Sequence, residues 1–326
     1  MTIQSMRWRS GFAALCLFAC SGFAQLTPDR LYVGVDRVIP MTASVPDALN
    51  GEVTISLHKA GSAEEISRAP AAEGELDLAG LFPSLWASGE PRRVVYAQLN
   101  VGDQPIGPAV VIQPLLSPAT AVQPPNPRSA PEFVQGPNIF SGYRTYVDKY
   151  VRWKTSQGEI LYRLRPDIAP NTAFNYRQLV EGGFYTDIIF HRIVGGTRSF
   201  VIQVGDPTGQ GSGGPGYVID LEQSTLPHDF GVLSMARTND PNTNGSQVFV
   251  CLSREGTSFL DGRYTAFGEA ISGAETIRAI AATPVDSSDR PNDPPVLISA
   301  ELIDADPYGT GPEPLSTQAR GDKEVR

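Results

Sequence analysis

Between Pro114 and Gly142 the chain places seven prolines (Pro114, Pro118, Pro124, Pro125, Pro127, Pro131 and Pro137), and no stretch so punctuated can run through as one helix or one interior strand. Each proline fixes its own φ, removes a backbone donor and pushes the preceding residue towards extended geometry. The stretch also lacks periodic apolar residues, so it has no face to bury. It reads as a semi-rigid, polyproline-like linker over residues 116–144. A chain of 326 residues interrupted in this way divides into two units, each long enough to bury a core.

Before the linker, residues 25–115 follow a period of two. Leu31, Val33 and Val35 alternate, as do Val53, Ile55 and Leu57, whereas Val94-Val95-Tyr96 and Val110-Val111-Ile112 read as more fully buried strands. Turn pairs such as Pro46-Asp47, Asn50-Gly51 and Gly102-Asp103 separate them. Short strands at this spacing predict a small antiparallel β-sandwich. It holds no constellation of His, Cys or clustered carboxylates. His58 stands alone at a strand end and is expected to be solvated. The unit reads as an accessory or binding domain.

Residues 145–305 form the second unit. Val151–Thr155 and Glu159–Leu164 predict strands around a Ser156-Gln157-Gly158 turn. Pro170 and Asn171 open a helix that buries Phe174, Tyr176, Leu179 and Val180 and stops at Gly182-Gly183. A later helix is expected from Ser272, with Glu275 completing a capping box and Pro284 just beyond its end. Many strands with one early and one late helix predict a closed β-barrel capped at its two ends by helices. The whole chain is therefore expected to be mainly β. Residues 306–326 carry few large apolar groups and read as a disordered tail.

Residues 1–24 read as an export signal. Arg7 and Arg9 precede an apolar run, Gly11–Ala19, too short for a membrane span, and Gly22-Phe23-Ala24 offers small residues for cleavage before Gln25. Leu17-Phe18-Ala19-Cys20 is the competing reading, a lipoprotein box that leaves a lipid anchor on Cys20. Either route exports the protein, to the periplasm or cell envelope or as a secreted chain. Cleavage before Gln25 leaves Cys251 as the one thiol, so no internal disulfide is expected; flanked by Val250 and Leu252, it reads as a small buried residue on a strand. A net charge of −9 argues against nucleic acid as a partner. The histidines lie too far apart for a metal site. Gly209-Gln210-Gly211-Ser212-Gly213-Gly214 spells a dinucleotide fingerprint, but Pro215-Gly216 denies it the helix that must follow, so it reads as a flexible loop. No cofactor is expected.

Separated motifs in the second unit then occur in a telling order: Ala169-Pro170-Asn171-Thr172, Phe190-His191-Arg192, Phe200-Val201-Ile202-Gln203, Gly231-Val232-Leu233-Ser234-Met235-Ala236, Asn242-Thr243-Asn244-Gly245-Ser246-Gln247, Leu260-Asp261-Gly262 and Phe267-Gly268. In these the unit resembles the cyclophilin-type peptidyl-prolyl cis-trans isomerases over essentially its whole length. The resemblance implies Arg192 as the catalytic arginine and Gln203 as the glutamine holding it. It implies Phe200, Val201, Phe249, Phe259, Leu260 and Tyr264 around the proline ring. Ala236, Arg237, Thr238 and Gln247 would lie along the substrate backbone, with His191 as a supporting neighbour of the arginine. Val201, Phe259 and Tyr264 depart from the family's usual methionine, tryptophan and histidine, and the loop Val194–Ser199 is longer than its commonest form. The implied partners are proline-containing polypeptides, and the implied role is to assist folding of exported proteins. A module that binds proline segments without turnover, or a scaffold of the cell envelope, is the alternative.

Overall fold

The computed structural model describes residues 25–62, 64–88, 92–126 and 128–317. The expected leader with its cleavage site and Cys20, and residues 318–326 of the expected tail, lie outside these. Six strands open the described chain: β1 (Gln25–Pro28), β2 (Tyr32–Gly34), β3 (Pro40–Ser44), β4 (Val53–Lys59), β5 (Glu65–Pro70) and β6 (Gly74–Asp77). Next come β7 (Val95–Val101), β8 (Gln104–Leu116), the short pair β9 (Thr120–Val122) and β10 (Glu132–Val134), and β11 (Phe140–Val147).

Two antiparallel sheets result, β1-β3-β6 and β2-β11-β8-β7-β4-β5. Leu26, Met41 and Ala43 of the small sheet share a core with Ile55, Leu57, Leu99, Val110 and Ile112 of the large one. The alternating apolar residues of β4 supply one face of this packing. The opposite face of the large sheet is also covered, because Tyr96, Val111 and Tyr146 pack with Phe174 of the second unit. Strands buried on both faces lose the polar half of their alternation, which accounts for the continuous run Val110-Val111-Ile112.

The stretch read as a linker carries structure of its own. β9 and β10 pair as a hairpin, and β11 joins the large sheet between β2 and β8. Proline excluded these segments from a helix but not from edge positions and strands begun after Pro137. A single residue, Asp148, separates β11 from the next strand, so the two halves are joined by nearly continuous chain.

The second unit is built on β12 (Lys149–Thr155), β13 (Gly158–Leu164), helix α1 (Pro170–Glu181), β14 (Thr186–Ile189), β15 (Arg192–Val194), β16 (Val201–Val204), β17 (Val232–Met235), β18 (Val248–Cys251), β19 (Ala266–Ser272), helix α2 (Ala274–Ala281) and β20 (Val296–Asp304). Nine strands form one antiparallel sheet in the order β14-β20-β12-β13-β19-β17-β18-β16-β15. Its edge strands, β14 and β15, are consecutive in the chain and only Phe190 and His191 lie between them, so the sheet has to curl until its edges nearly meet. Among the described residues no ladder pairs those edges. The expected closed barrel is therefore a rolled, open sheet, with β14 and β15 as its two free edges.

Both helices contribute to the core inside this sheet, Ala173, Tyr176 and Val180 from α1 and Ile277 and Ile280 from α2, against Trp153, Tyr162 and Phe267. Proline occupies the first turn of α1, where no amide donor is needed, and the Glu222 carboxylate accepts from the freed N–H groups of Asn171 at 3.1 Å and Thr172 at 2.6 Å. The capping box expected from Ser272 is absent. Ser272 remains the last residue of β19, Gly273 caps α2 with a φ of 93°, and Glu275 pairs with Arg278 instead.

Residues 306–317, the start of the expected tail, pack back on the molecule. Tyr308 stacks on Tyr96 with ring centroids 4.3 Å apart and donates its hydroxyl to the Lys59 carbonyl, while Leu315 enters the core. His58 is accordingly not a solvated residue: its ring packs 5.3 Å from Tyr308 and its Nε2 meets the Ser56 hydroxyl at 2.8 Å.

Candidate active site

Register assembles the site. Arg192 on β15 lies opposite Gln203 on β16, Gln203 opposite Phe249 on β18, and Phe249 opposite Ser234 on β17. Directly opposed residues of antiparallel strands share a face, so residues far apart in sequence form one row. Around the first three of these opens a cavity of about 240 Å³ lined by Arg192, Phe200, Val201, Gln203, Ala236, Arg237, Phe249, Phe259, Leu260 and Tyr264.

Aromatic rings shape the cavity. Phe200 and Phe259 stack at 5.6 Å and 16°, and Tyr264 meets Phe249 edge-on at 5.7 Å. Val201, Phe249 and Leu260 are buried, whereas Phe259 is 59% exposed and forms the outer lip. The Arg192 guanidinium lies 5.9 Å from the Phe200 ring centre, with its side chain 41% exposed. A small recess walled by aromatic and aliphatic side chains, with the Arg192 guanidinium at its rim, suits a compact apolar ring bonded to a polar group.

A polar chain holds that cation. Arg192 Nη1 donates to Gln203 Oε1 at 3.4 Å, Gln203 Nε2 donates to Gln247 Oε1 at 3.0 Å, and Gln247 Nε2 donates to the carbonyls of Gly211 and Gly213 at 3.0 and 2.9 Å. Arginine can only donate, so it forces the orientation of each following amide. The glycine loop at the far end is wound round Asp206, which accepts from the Thr208 N–H at 2.7 Å and the Thr208 hydroxyl at 2.8 Å, and also from the Gly211 N–H. Burial opposes ionisation of Asp206, but hydrogen bonds from Gly213, Thr208 and Gly211 outweigh it and hold the carboxyl down to about 2. Gly213 sits so close to this carboxylate that a Cβ there would collide with it. The segment is thus an organised loop supporting Gln247.

Thr238 and Gln247 line a second cavity, of about 450 Å³, that shares Gln203, Ala236 and Arg237 with the first. Arg237 is tied down on its rim. Its guanidinium donates to the Arg263 carbonyl at 2.9 Å and to the Thr238 carbonyl at 2.8 Å, and lies 4.6 Å from the Tyr264 ring centre. His191, grouped with the substrate-binding residues from sequence, lines neither cavity. Only 6% exposed, it lies behind the row, in the link between β14 and β15 and near Gly211 of the glycine loop.

Three groups near the site were not evident from sequence. Asp206 organises the loop. Asp289 bridges Arg192, at 3.9 Å, and Arg198, and so tethers the long loop in which Gly196–Arg198 forms a 3₁₀ turn. His228 is wedged between Asp261, Ser234 and Phe249. Asp206 takes its partners from the loop that follows it, whereas Asp289 meets Arg192 and His228 meets Asp261 only across long stretches of chain. Cys251 is fully buried on β18, which pushes its thiol up out of the reactive range.

A rolled antiparallel sheet with an arginine at the rim of an apolar pocket is the setting in which the comparisons with known proteins fall. Residues 150–302 match the family model "Cyclophilin type peptidyl-prolyl cis-trans isomerase/CLD". The chain is 41% identical over 158 residues to peptidyl-prolyl cis-trans isomerase ppi1 of Schizosaccharomyces pombe, covering 47% of this chain and 98% of that one. It is 39% identical over 159 residues to peptidyl-prolyl cis-trans isomerase-like 1 of Aspergillus fumigatus, covering 47% and 95%. A solved cyclophilin-type isomerase of Cryptosporidium parvum, in the presence of the dipeptide Ala-Pro, is 36% identical over 47% of this chain and 98% of that one, with a TM-score of 0.44. The chain belongs to the cyclophilin-type peptidyl-prolyl cis-trans isomerase family and is an enzyme of that class. The family match begins at Tyr150 and does not include the N-terminal sheets.

Proposed function

We propose that this protein isomerises X–Pro bonds in exported polypeptides and thereby assists their folding. The observation that carries the reading is Arg192, a cation held by Gln203 at the rim of a proline-sized apolar pocket. Export is supported by the basic start, short apolar run and small residues of positions 1–24.

The reaction twists an amide whose resonance sets a barrier of about 18–20 kcal/mol. In the twisted state the prolyl nitrogen becomes pyramidal and gains a lone pair that the planar amide lacks. A guanidinium donor at that nitrogen stabilises the twisted state and not the ground state, which is the condition for a faster rate. Each ~1.4 kcal/mol of such preference gives about tenfold. Phe200, Phe249 and Leu260 hold the ring, with burial of a large apolar group contributing roughly 1.5–3 kcal/mol. Gln247 and the backbone at Ala236 and Arg237 restrain the chain on the other side of the bond, so that only one side turns. No proton moves, and His191 has no acid–base part. In this reading the rolled sheet works as a barrel, with α1 and α2 closing its ends.

Magnetisation exchange on a short Ala-Pro peptide tests the proposal. Wild type accelerates exchange, and Arg192→Ala does so far less. A wild-type rate equal to that of buffer, with the peptide still bound, would favour the proline-binding module instead.

A further inference from the structure

The active-site recess is the end of a longer trough. Its cavity shares Gln203, Ala236 and Arg237 with the second cavity, and the second shares Val218 with a third, of about 1000 Å³. The third lies between the two halves of the protein. Lys59, Arg93, Leu116 and Phe133 come from the N-terminal sheets and the β9–β10 hairpin, and Asp167 and Asp220 from the isomerase unit. The hairpin is fixed beside the active site: Asn242 Nδ2 donates to the Ala121 carbonyl at 2.9 Å, and Arg263 Nη1 to the Arg128 carbonyl at 2.5 Å. Large apolar side chains remain exposed along the path, Tyr217 at 47%, Val218 at 61% and Leu116 at 40%. A run of exposed apolar groups inside a concave, mixed-charge cleft is a surface for a partner.

The geometry points to one occupant: the segment of the client polypeptide N-terminal to the isomerised bond. This rests on the isomerase reading above. With the proline ring against Phe249, the preceding residues pass Gln247 into the second cavity, and an extended chain leaving it reaches Val218 and enters the cleft between the halves. Continuity with the active site selects this partner. The N-terminal sheets thus contribute a docking wall that retains an unfolded chain while its proline is presented to Arg192. Lys59 and Arg93 on one wall and Asp167 and Asp220 on the other leave the cleft tolerant of sequence, as a folding catalyst needs.

Peptides carrying one Ala-Pro bond test this when extended on one side only, by about eight residues or roughly 26 Å of extended chain. Exchange rates and equilibrium binding by fluorescence anisotropy are measured on the full chain. The N-terminally extended peptide is expected to show a KM and Kd about tenfold below those of the short peptide, a gain of about 1.4 kcal/mol. The C-terminally extended one is expected to show no such gain. In the Leu116→Ser/Phe133→Ser double variant the gain disappears while turnover of the short peptide stays at the wild-type rate, which also reports that the fold is intact. An equal gain from either extension, no gain from the N-terminal one, or a gain that survives the double variant overturns the proposal. Absence of turnover with anisotropy still favouring the N-terminal extension would sink the isomerase reading and leave the cleft standing.

Discussion

The imidazole of His228 lies nearly parallel to the ring of Phe249, with centroids 6.0 Å apart at 20°. Both its nitrogens are engaged, Nδ1 with Asp261 and Nε2 with the Ser234 hydroxyl, each at 3.0 Å. The Asp261 carboxylate can only accept, so Nδ1–H donates to it and Nε2 accepts from the serine hydroxyl. The three residue types of a hydrolytic triad therefore meet, but Ser234 and His228 are buried and no substrate reaches the hydroxyl. The group braces the back of the proline pocket.

Removing that brace should disturb both stability and substrate binding. His228→Ala leaves a cavity and strands the Ser234 hydroxyl, and we expect a loss of about 2–3 kcal/mol in urea unfolding. The KM for an Ala-Pro peptide should rise more than kcat falls, because Phe249 is loosened while Arg192 is untouched. An unchanged unfolding midpoint would show that the brace is dispensable.

The same residue predicts a pH dependence. Burial is the largest influence on His228 and lowers its pKa from the ordinary 6.5, with Asp261 only partly offsetting it. Below 6.5 the unfolded chain takes up a proton that the folded state resists, so the stability conferred by neutral His228 is lost as pH falls from there. His228→Asn has no such proton to bind. The stability gap between wild type and this variant should narrow between pH 7.5 and 5.5 in paired denaturant titrations; a constant or widening gap would contradict the assignment.

Arg192 and Gln203 separate chemistry from positioning. Arg192→Ala should cost about 10²–10³ in kcat, the usual effect of losing one preorganised donor, with stability changed by less than about 0.5 kcal/mol. Arg192→Lys should not restore the rate, because an ammonium group cannot hold Gln203 and reach the prolyl nitrogen with one planar fork. Gln203→Ala should retain more activity than Arg192→Ala. Exchange spectroscopy reads all three.

Gly213→Ala tests the loop that supports Gln247. The added methyl collides with the Asp206 carboxylate, so the loop must shift and withdraw the carbonyls that Gln247 uses. The expected result is a raised KM with the melting temperature nearly unchanged, since the loop is at the surface. A KM equal to wild type would show that Gln247 is held by Gln203 alone.

Tyr308→Ala tests the coupling of the halves. The ring stacks on Tyr96, the hydroxyl reaches the Lys59 carbonyl, and the backbone N–H meets Gln98 Oε1 at 2.9 Å. Its loss should cost about 2 kcal/mol and broaden a single calorimetric transition towards two. A sharp single transition would place the coupling elsewhere, in the Tyr146–Phe174 contact.

Local chemistry was readable wherever one residue type has few uses. Proline before Asn171 marked the first helix, and Gly182-Gly183 its end. Phe190-His191-Arg192 and Phe200–Gln203 identified the strands that face the pocket. Ser272 and Glu275 misled, because a capping box competes with the strand ladder that keeps Ser272 in β19. His58 and Tyr308 misled for a different reason: each looks solvated alone, and the contacts that half-bury them, with each other and with Tyr96, join residues far apart in sequence.

From its own order of residues, then, this chain determined two β units, the family of the second, and the arginine, glutamine and aromatic residues that meet at its pocket. Tertiary structure alone decided that the proline-rich segment would form a hairpin beside that pocket, that Asp206 and His228 would support it from behind, and that the tail would bind the two halves together. Side-chain type and short spacing are written in the chain. Burial and long-range partnership arise only when strands distant in sequence are brought into register.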